Sequence, residues 1–181
     1  MNKSRCYRSD IIIAMHAHKN TELIKVQLRN AKIEDIEFIK QCLIDSWVIH
    51  ARNNSNLITE ERMINSNIEN YYYDSILNND GYTLIAEINH KKVGLIRAYE
   101  KEIADFFKDN RILYIDDIYV LEHFRRKGIA RKLILKIESI AKEKGIKRID
   151  GRIYSFNLPI QKLLKSLGYK SPYATWVKVL Q

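Results

Sequence analysis

Cysteine is almost missing from this chain of 181 residues: Cys6 and Cys42 are its two. Two cysteines cannot make a disulfide framework, and neither stands in a C-x-x-C pair, so both read as buried or incidental thiols. Long apolar runs are missing as well. The longest near the N-terminus, Ile11 to Met15, falls far short of the ~20 residues that span a bilayer. It is also shorter than the ~7–15-residue core of a signal peptide. The five histidines, His16, His18, His50, His90 and His123, are scattered. His16-x-His18 is the one spacing a metal could use, and no metal is expected. With 46% apolar and 29% charged residues the chain is globular rather than disordered or fibrous. These absences set the expectation of a reduced, soluble, cytoplasmic protein with no membrane partner. A length in the ~100–200-residue range sets that of one domain.

What is abundant is charge, and it is unevenly placed. The net charge is +9, from 31 Lys/Arg and 22 Asp/Glu. Residues 1–25 contribute +3, residues 26–120 contribute −5 and residues 121–181 contribute +11. That division argues against a uniformly basic nucleic-acid coat. It suggests instead that the two halves meet different partners.

Glycine (six) and proline (two) mostly punctuate the chain. Residues 1–23 show no sustained period and read as an N-terminal arm, mobile or loosely docked, with Met15 as an alternative start. The domain is expected over 24–181. Ile24, Val26 and Leu28 alternate as a strand. Ile36, Ile39, Leu43 and Trp47 define a helix over about 33–48. Thr59, followed by Glu60 and Glu61, opens a second helix running to about Leu77. Tyr82–Ile88 and Val93–Tyr99 read as two strands of a hairpin, and Ile112–Val120 as another. Ala130, Leu133, Ile134, Ile137 and Ala141 place a helix over 128–144, closed by Gly145. Ile146–Tyr154 reads as a strand, and Asn157 caps a short helix that ends at Gly168. Tyr169–Val179 supplies two last strands around Pro172. The fold class is therefore α/β: a mixed sheet with helices on both faces.

The stretch that carries chemistry runs from Ile115 to Ala130. A strand leads into a basic loop containing Gly128, and the loop opens a helix. The first free N–H groups of a helix make an anion site, reinforced by the helix dipole. Arg125, Arg126 and Lys127 precede that terminus, and Arg131 and Lys132 follow it. Residues 121–136 hold six basic residues and one acid. Such a density calls for solvation or for a bound pyrophosphate. The glycine spacing is that of neither a P-loop nor a Rossmann turn.

Arg125-x-x-Gly128-x-Ala130 resembles the [Arg/Gln]-x-x-Gly-x-[Gly/Ala] signature of the GNAT acyl-CoA N-acyltransferases. Asn157, with Gly168-Tyr169 eleven residues on, is similar to that family's "Asn … Gly-Phe" segment. The resemblance covers about residues 24–180. It implies the GNAT fold, with a central sheet of about six to seven strands flanked by about four α-helices, and acetyl-CoA as acyl donor. It implies that backbone groups of Ile118, Tyr119 and Val120 hold the pantetheine arm and the thioester carbonyl. The N–H groups from Arg126 through Lys127, Gly128, Ile129 and Ala130 to Arg131 would take the pyrophosphate. Asn157 would contact the cofactor where two strands splay apart.

The implied reaction is direct attack of an amine on the thioester. The attacking amine must be neutral, yet alkylamines are mostly protonated at pH 7. A base is therefore needed. Asp116 is expected in that role, with Asp117 as its supporting partner. Strand alternation would turn the two to opposite faces. The family's usual thiolate-protonating Tyr, seven residues after the Asn, is here Leu164, which fits the apolar stripe of its helix. Tyr119, Tyr154 and Tyr169 are the alternatives. Asp45, Glu60, Glu61, Glu69 and Asp74, with Tyr71–Tyr73 beside them, would suit a small cationic amine. The expected activity is N-acetylation of a primary amine such as a polyamine. A protein N-terminal acetyltransferase and a non-catalytic module binding acyl-CoA or nucleic acid are the alternatives. A homodimer is left open.

Overall fold

The computed structural model describes residues 25–65 and 67–180. The expected arm at 1–23, Cys6, Met15 as a start and the His16-x-His18 pair lie outside the described residues. Five strands form one sheet in the order β1-β2-β3-β4-β5: Val26–Asn30, Tyr82–Ile88, Lys91–Glu102, Arg111–Val120 and Ile149–Gly151. β1 to β4 pair antiparallel. β5 adds in parallel to β4 over Leu113–Ile115. Five α-helices complete the fold: α1 Ile36–Asn53, α2 Glu60–Ile64, α3 Ile68–Leu77, α4 Ile129–Glu143 and α5 Leu158–Ser166.

The helices bury both faces of the sheet, as strand alternation requires when both sides are apolar. Ile39, Cys42 and Leu43 of α1 and Ile68 and Tyr72 of α3 pack on Ile85 and Leu95. On the other face Ile129, Leu133, Ile134, Ile137, Ile140 and Ala141 of α4 meet Leu84, Ala86, Ile96, Leu113 and Val120. Each such fully buried side chain is worth ~1.5–3 kcal/mol of transfer free energy. Asp35, fully buried before α1, ties the sheet edge together. It accepts from Arg29 at 2.6 and 3.0 Å and from the Lys32 N–H at 2.8 Å. Lys92 reaches it at 2.6 Å. Burial alone would raise its pKa, but the Arg29 and Lys92 cations and the Lys32 N–H prevail and hold the carboxyl well below the usual range.

Three expectations are corrected. The second helix is two, α2 and α3, with the break at Asn65–Asn67, residues of weak helix propensity. The strand expected at Ile146–Tyr154 keeps only Ile149–Gly151. Ile146 leaves α4 as a buried core residue, and the chain after Gly151 turns toward α5. No strand forms over Tyr169–Val179, where Pro172 removes a donor and β5 offers a three-residue edge. The described sheet thus has five strands, fewer than the expected six to seven. No helix among the described residues is long and apolar enough to cross a membrane.

Candidate active site

The centre of β4 carries an irregularity. Arg97 of β3 pairs with Asp117 and the next residue, Ala98, pairs with Ile115, so Asp116 is the extra residue of a β-bulge. The bulge overturns the expected alternation: Asp116 and Asp117 both face α1 and α3. Tyr71 donates its hydroxyl to Asp116 Oδ2 at 3.0 Å, and Tyr72 donates to Asp117 Oδ2 at 2.8 Å. The Trp47 indole of α1 lies close enough to Asp117 to favour its charged form. Burial pushes the Asp117 carboxyl up to about 6, and Asp116 adds to the rise. The Tyr72 hydroxyl, Arg97 and the Trp47 indole work against that rise without cancelling it.

Arg97 is a residue of this site that the sequence did not point to. It is 1% exposed on β3. Its guanidinium donates to Asp116 Oδ2 at 3.1 Å and to Ser75 Oγ at 3.2 Å. The same guanidinium lies 4.5 Å from the Tyr71 ring centroid, 4.9 Å from Tyr99 and 5.7 Å from Tyr72. A buried cation needs such partners. The aromatic faces expected for a cationic amine are therefore partly occupied by the protein's own cation. The signal was present only as a lone Arg inside an apolar strand.

Past Ile115, β4 continues for five residues that β5 does not pair. Leu121 N–H donates to Val93 O on the β3 side. Alternation then turns the N–H and C=O of Val120 and Ile118 toward the open edge. The Tyr119 carbonyl faces β3: a Cβ at Gly94 would stand 2.7 Å from it. Arg125 Nε donates to Val120 O at 3.0 Å, so this arginine grips the strand end. If the parallel register ran three residues further it would set Tyr154 against Ile118.

At the end of β4 the chain makes a short turn and enters α4. Arg126 and Gly128 both have left-handed backbones, with φ of 63° and 76°. Gly128 is the N-cap, and no side chain caps the helix. A Cβ at Gly128 would meet nothing within 4 Å. The terminus thus presents free N–H groups to an open space. Arg126 and Lys127 are exposed beside it. Lys127 also lies over the Phe124 ring at 5.1 Å. Arg131 reaches Ser166 Oγ on α5 at 3.3 Å. Ile129 and Ala130 turn their side chains to the core and offer only backbone. These features fit an elongated ligand with a pyrophosphate at the helix and a peptide-like arm along β4.

Asn157 caps α5, accepting from the Ile160 N–H at 3.4 Å. Leu164 packs into the core. Of the three candidate tyrosines, the Tyr169 hydroxyl is buried without a hydrogen-bond partner among the described residues. Tyr119 lies under the Arg125 guanidinium at 5.4 Å. Tyr154 packs at a tilt on His50 of α1 at 4.6 Å and stacks on Phe156 at 5.8 Å, which ties the loop before α5 to α1. Burial lowers the His50 pKa, so that ring is neutral. Among the expected acceptor acids, Glu69 is paired with Lys40 at 2.6 Å and Glu60 with Arg52 at 3.4 Å. Asp45 takes Gln41 at 2.9 Å. Glu61 and Asp74 are exposed. The Cys42 thiol, pushed up to about 12 by burial and Asp45, is inert. A cavity of about 530 Å3 lined by Asn30, Ser75, Asp80, Tyr82, Glu100 and Lys144 lies at the C-terminal end of α3. It contains no residue of the strand split, so it is not assigned to the acyl donor. No group of three His, Cys, Asp or Glu that could hold a metal occurs among the described residues.

Fold and site together define an α/β protein with a split sheet and an anion-binding strand–loop–helix. The chain belongs to the acetyltransferase (GNAT) family, whose model matches residues 47–169. It is 42% identical over 69 residues to GCN5-related N-acetyltransferase 4, chloroplastic, of Arabidopsis thaliana, covering 36% of this chain and 24% of that protein. It is 34% identical over 58 residues to thialysine N-epsilon-acetyltransferase of Bos taurus, covering 32% and 34%. The match spans about a quarter to a third of these relatives' lengths. Among solved structures it shares its fold with the aminoglycoside N-acetyltransferase AAC(6')-Iy in complex with the bisubstrate analogue CoA-S-monomethyl-acetylneamine. That comparison has a TM-score of 0.68 and 17% identity, and covers 87% of this chain and 99% of that one.

Proposed function

We propose that this chain moves an acetyl group from acetyl-CoA to a primary amine, and that the acceptor is a small cationic amine. One observation carries the reading: the unpaired edge of β4 lies between the uncapped N-terminus of α4 and the two carboxylates of the bulge. A donor lying along that edge would bring its thioester to the bulge. The family match and the amine substrates in the relatives' names support the same class of reaction.

Acetyl-CoA supplies the activated acyl group. The N–H groups from Arg126 to Arg131 receive its pyrophosphate, and the open-edge groups of Ile118 and Val120 receive the pantetheine arm. Asn157 borders the split. The amine forms a C–N bond as the C–S bond breaks, and one proton must leave the nitrogen while the sulfur gains one. Both hydrogen bonds to Asp116 fall on Oδ2 and its side chain is 30% exposed, which leaves Oδ1 for the incoming ammonium. Asp117 has the proton affinity suited to a base, held near 6 by burial. The base role thus moves one residue from its expected place. A thiol's ordinary pKa of ~8.5 lets the thiolate leave unassisted, consistent with a leucine at position 164.

Calorimetry with acetyl-CoA, followed by a thiol-release assay over a panel of amines, tests the reading. Cationic primary amines should release thiol. Binding of acetyl-CoA without release from any amine would instead mark a non-catalytic acyl-CoA binder.

A further inference from the structure

Among the largest fully buried side chains of the described residues is a charged one, Arg97 of β3. A guanidinium in that position is a poor choice for stability, because its partners repay the lost hydration only in part. Its Nε has no hydrogen-bond partner among the described residues. The outer nitrogens are the ones in use. Nη1 donates to Asp116 Oδ2, and Nη2 donates to Ser75 Oγ. Ser75 is itself fixed, since its hydroxyl donates to the Asp80 carbonyl at 2.6 Å. The guanidinium is thus anchored at the C-terminal end of α3 and reaches from there to the bulge. The Asp80 carboxylate stands 3.9 Å from Nη2, but it is 73% exposed and screened by water.

The register shows what this arginine selects. Arg97 is paired with Asp117 across the strands, yet its guanidinium bonds Asp116. Only the bulge brings Asp116 to that face. Two adjacent carboxylates on one face repel, and a cation placed on one of them divides their roles. Asp116 has the ion pair, the Tyr71 hydroxyl and an opening to solvent. Asp117 sits deeper and is bonded by Tyr72. The phenols around the pair stay neutral through the physiological range. Burial pushes up Tyr71 and Tyr72 of α3, Tyr99 of β3 and Tyr114 of β4. Trp47 of α1 carries no charge. Among the described residues the charged groups facing the pair are therefore Arg97 and the screened Asp80.

We propose that Arg97 is the positioning residue of the pair: it pins Asp116 as the carboxylate that receives the acceptor's ammonium and leaves Asp117 as the base. The assignment rests on the acyl transfer proposed above. By holding Oδ2 together with Tyr71, the guanidinium fixes the rotation of the Asp116 carboxylate. By its charge it offsets part of the repulsion that Asp116 exerts on Asp117. A neutral side chain of similar length would leave the aim loose and the repulsion whole.

Titration of the aspartate carboxyl carbons by NMR reads this role without turnover. In the wild type the Asp117 midpoint should lie at about 6. In Arg97→Met it should rise by roughly one pH unit, because a nearby opposite charge is gone. Arg97→Lys keeps the charge and should return the midpoint to near its wild-type value, a rescue that a purely structural role would not give. One ammonium cannot serve Asp116 and Ser75 as the arginine fork does. KM for a cationic amine should therefore stay roughly tenfold raised in both variants, about the worth of one hydrogen bond to a charged group, with acetyl-CoA affinity unchanged. An Asp117 midpoint unmoved in Arg97→Met, or a KM unmoved in both variants, would overturn the proposal. Should Arg97→Met fail to fold, Asp116→Asn supplies the reading. Relieved of the neighbouring charge, Asp117 should then titrate roughly one unit lower, and an unmoved midpoint would overturn the proposal as well. Midpoints that move as expected in a protein that releases no thiol with any amine would count against the proposed reaction and not against the hold of Arg97 on the pair.

Discussion

Asp117→Asn should make the protein more stable and less active. The carboxyl moves from an ordinary 3.8 to about 6 because it is buried beside Asp116. A group whose folded-state pKa is raised contributes stability below its unfolded value, and that contribution is lost as pH rises through about 6. At pH 8 the folded state therefore carries the whole cost of the buried charge. At about 1.4 kcal/mol per tenfold change in proton affinity, that cost is about 3 kcal/mol. Asparagine keeps the size and an oxygen for the Tyr72 hydroxyl, 2.8 Å away, and removes the charge. Thermal denaturation should show the variant melting roughly 5–10 °C higher at pH 8, for a protein of this size. The gain should shrink as pH falls below about 6 and vanish below about pH 3, where the carboxyl is protonated in both states. In parallel, the fall in kcat/KM toward acid pH, centred near 6 in the wild type, should disappear at a much lower overall rate. A variant no more stable than wild type at pH 8 would refute the reasoning about the site's electrostatics.

Three further outcomes follow from the same geometry. Gly128→Val places a β-branched residue at φ 76° facing open space, a strain of ~1–3 kcal/mol, and should weaken acetyl-CoA binding at least roughly tenfold by calorimetry. Unchanged affinity would remove the α4 terminus from the donor site. Asp116→Asn should raise KM for a cationic amine more than it lowers kcat, with Tyr71 and Arg97 left to hold the amide; a change in kcat alone would reverse the roles given to the two aspartates. Asp35→Asn removes one partner of a buried ion-pair group and should cost ~3–5 kcal/mol in urea denaturation. Because the Asp35 pKa is depressed, its contribution is present above the ordinary carboxylate range and lost as pH falls below it. The two proteins should therefore converge in strong acid.

The periodic elements were legible because each repeats a pattern over several turns or strand residues. α4 shows its stripe from Ile129 to Ala141, and β2 to β4 were placed within a few residues of their bounds. The strand–loop–helix was legible because the Arg125-x-x-Gly128-x-Ala130 spacing follows an apolar strand and opens an amphipathic helix. The bulge at Asp116 was not. One inserted residue leaves no mark in a strand whose neighbours are all β-formers, yet it turns two carboxylates to one face. Arg97 was hidden for a related reason: its partners, Tyr71, Ser75 and Asp116, are distant in sequence and meet only through the packing of α3 on β3. The split after Gly151 was likewise invisible, since Ile146 to Tyr154 alternates well enough to read as one strand.

The central claim is that the split of β4 from β5 receives acetyl-CoA and delivers its acetyl group to a cationic amine beside Asp116 and Asp117. Thiol release from acetyl-CoA, measured across a panel of cationic, neutral and anionic amines, tests it most directly. The account predicts turnover with cationic primary amines, at rates that fall below about pH 6 as Asp117 takes up its proton. Release that is equal for all amines, or absent with every one of them, would contradict it.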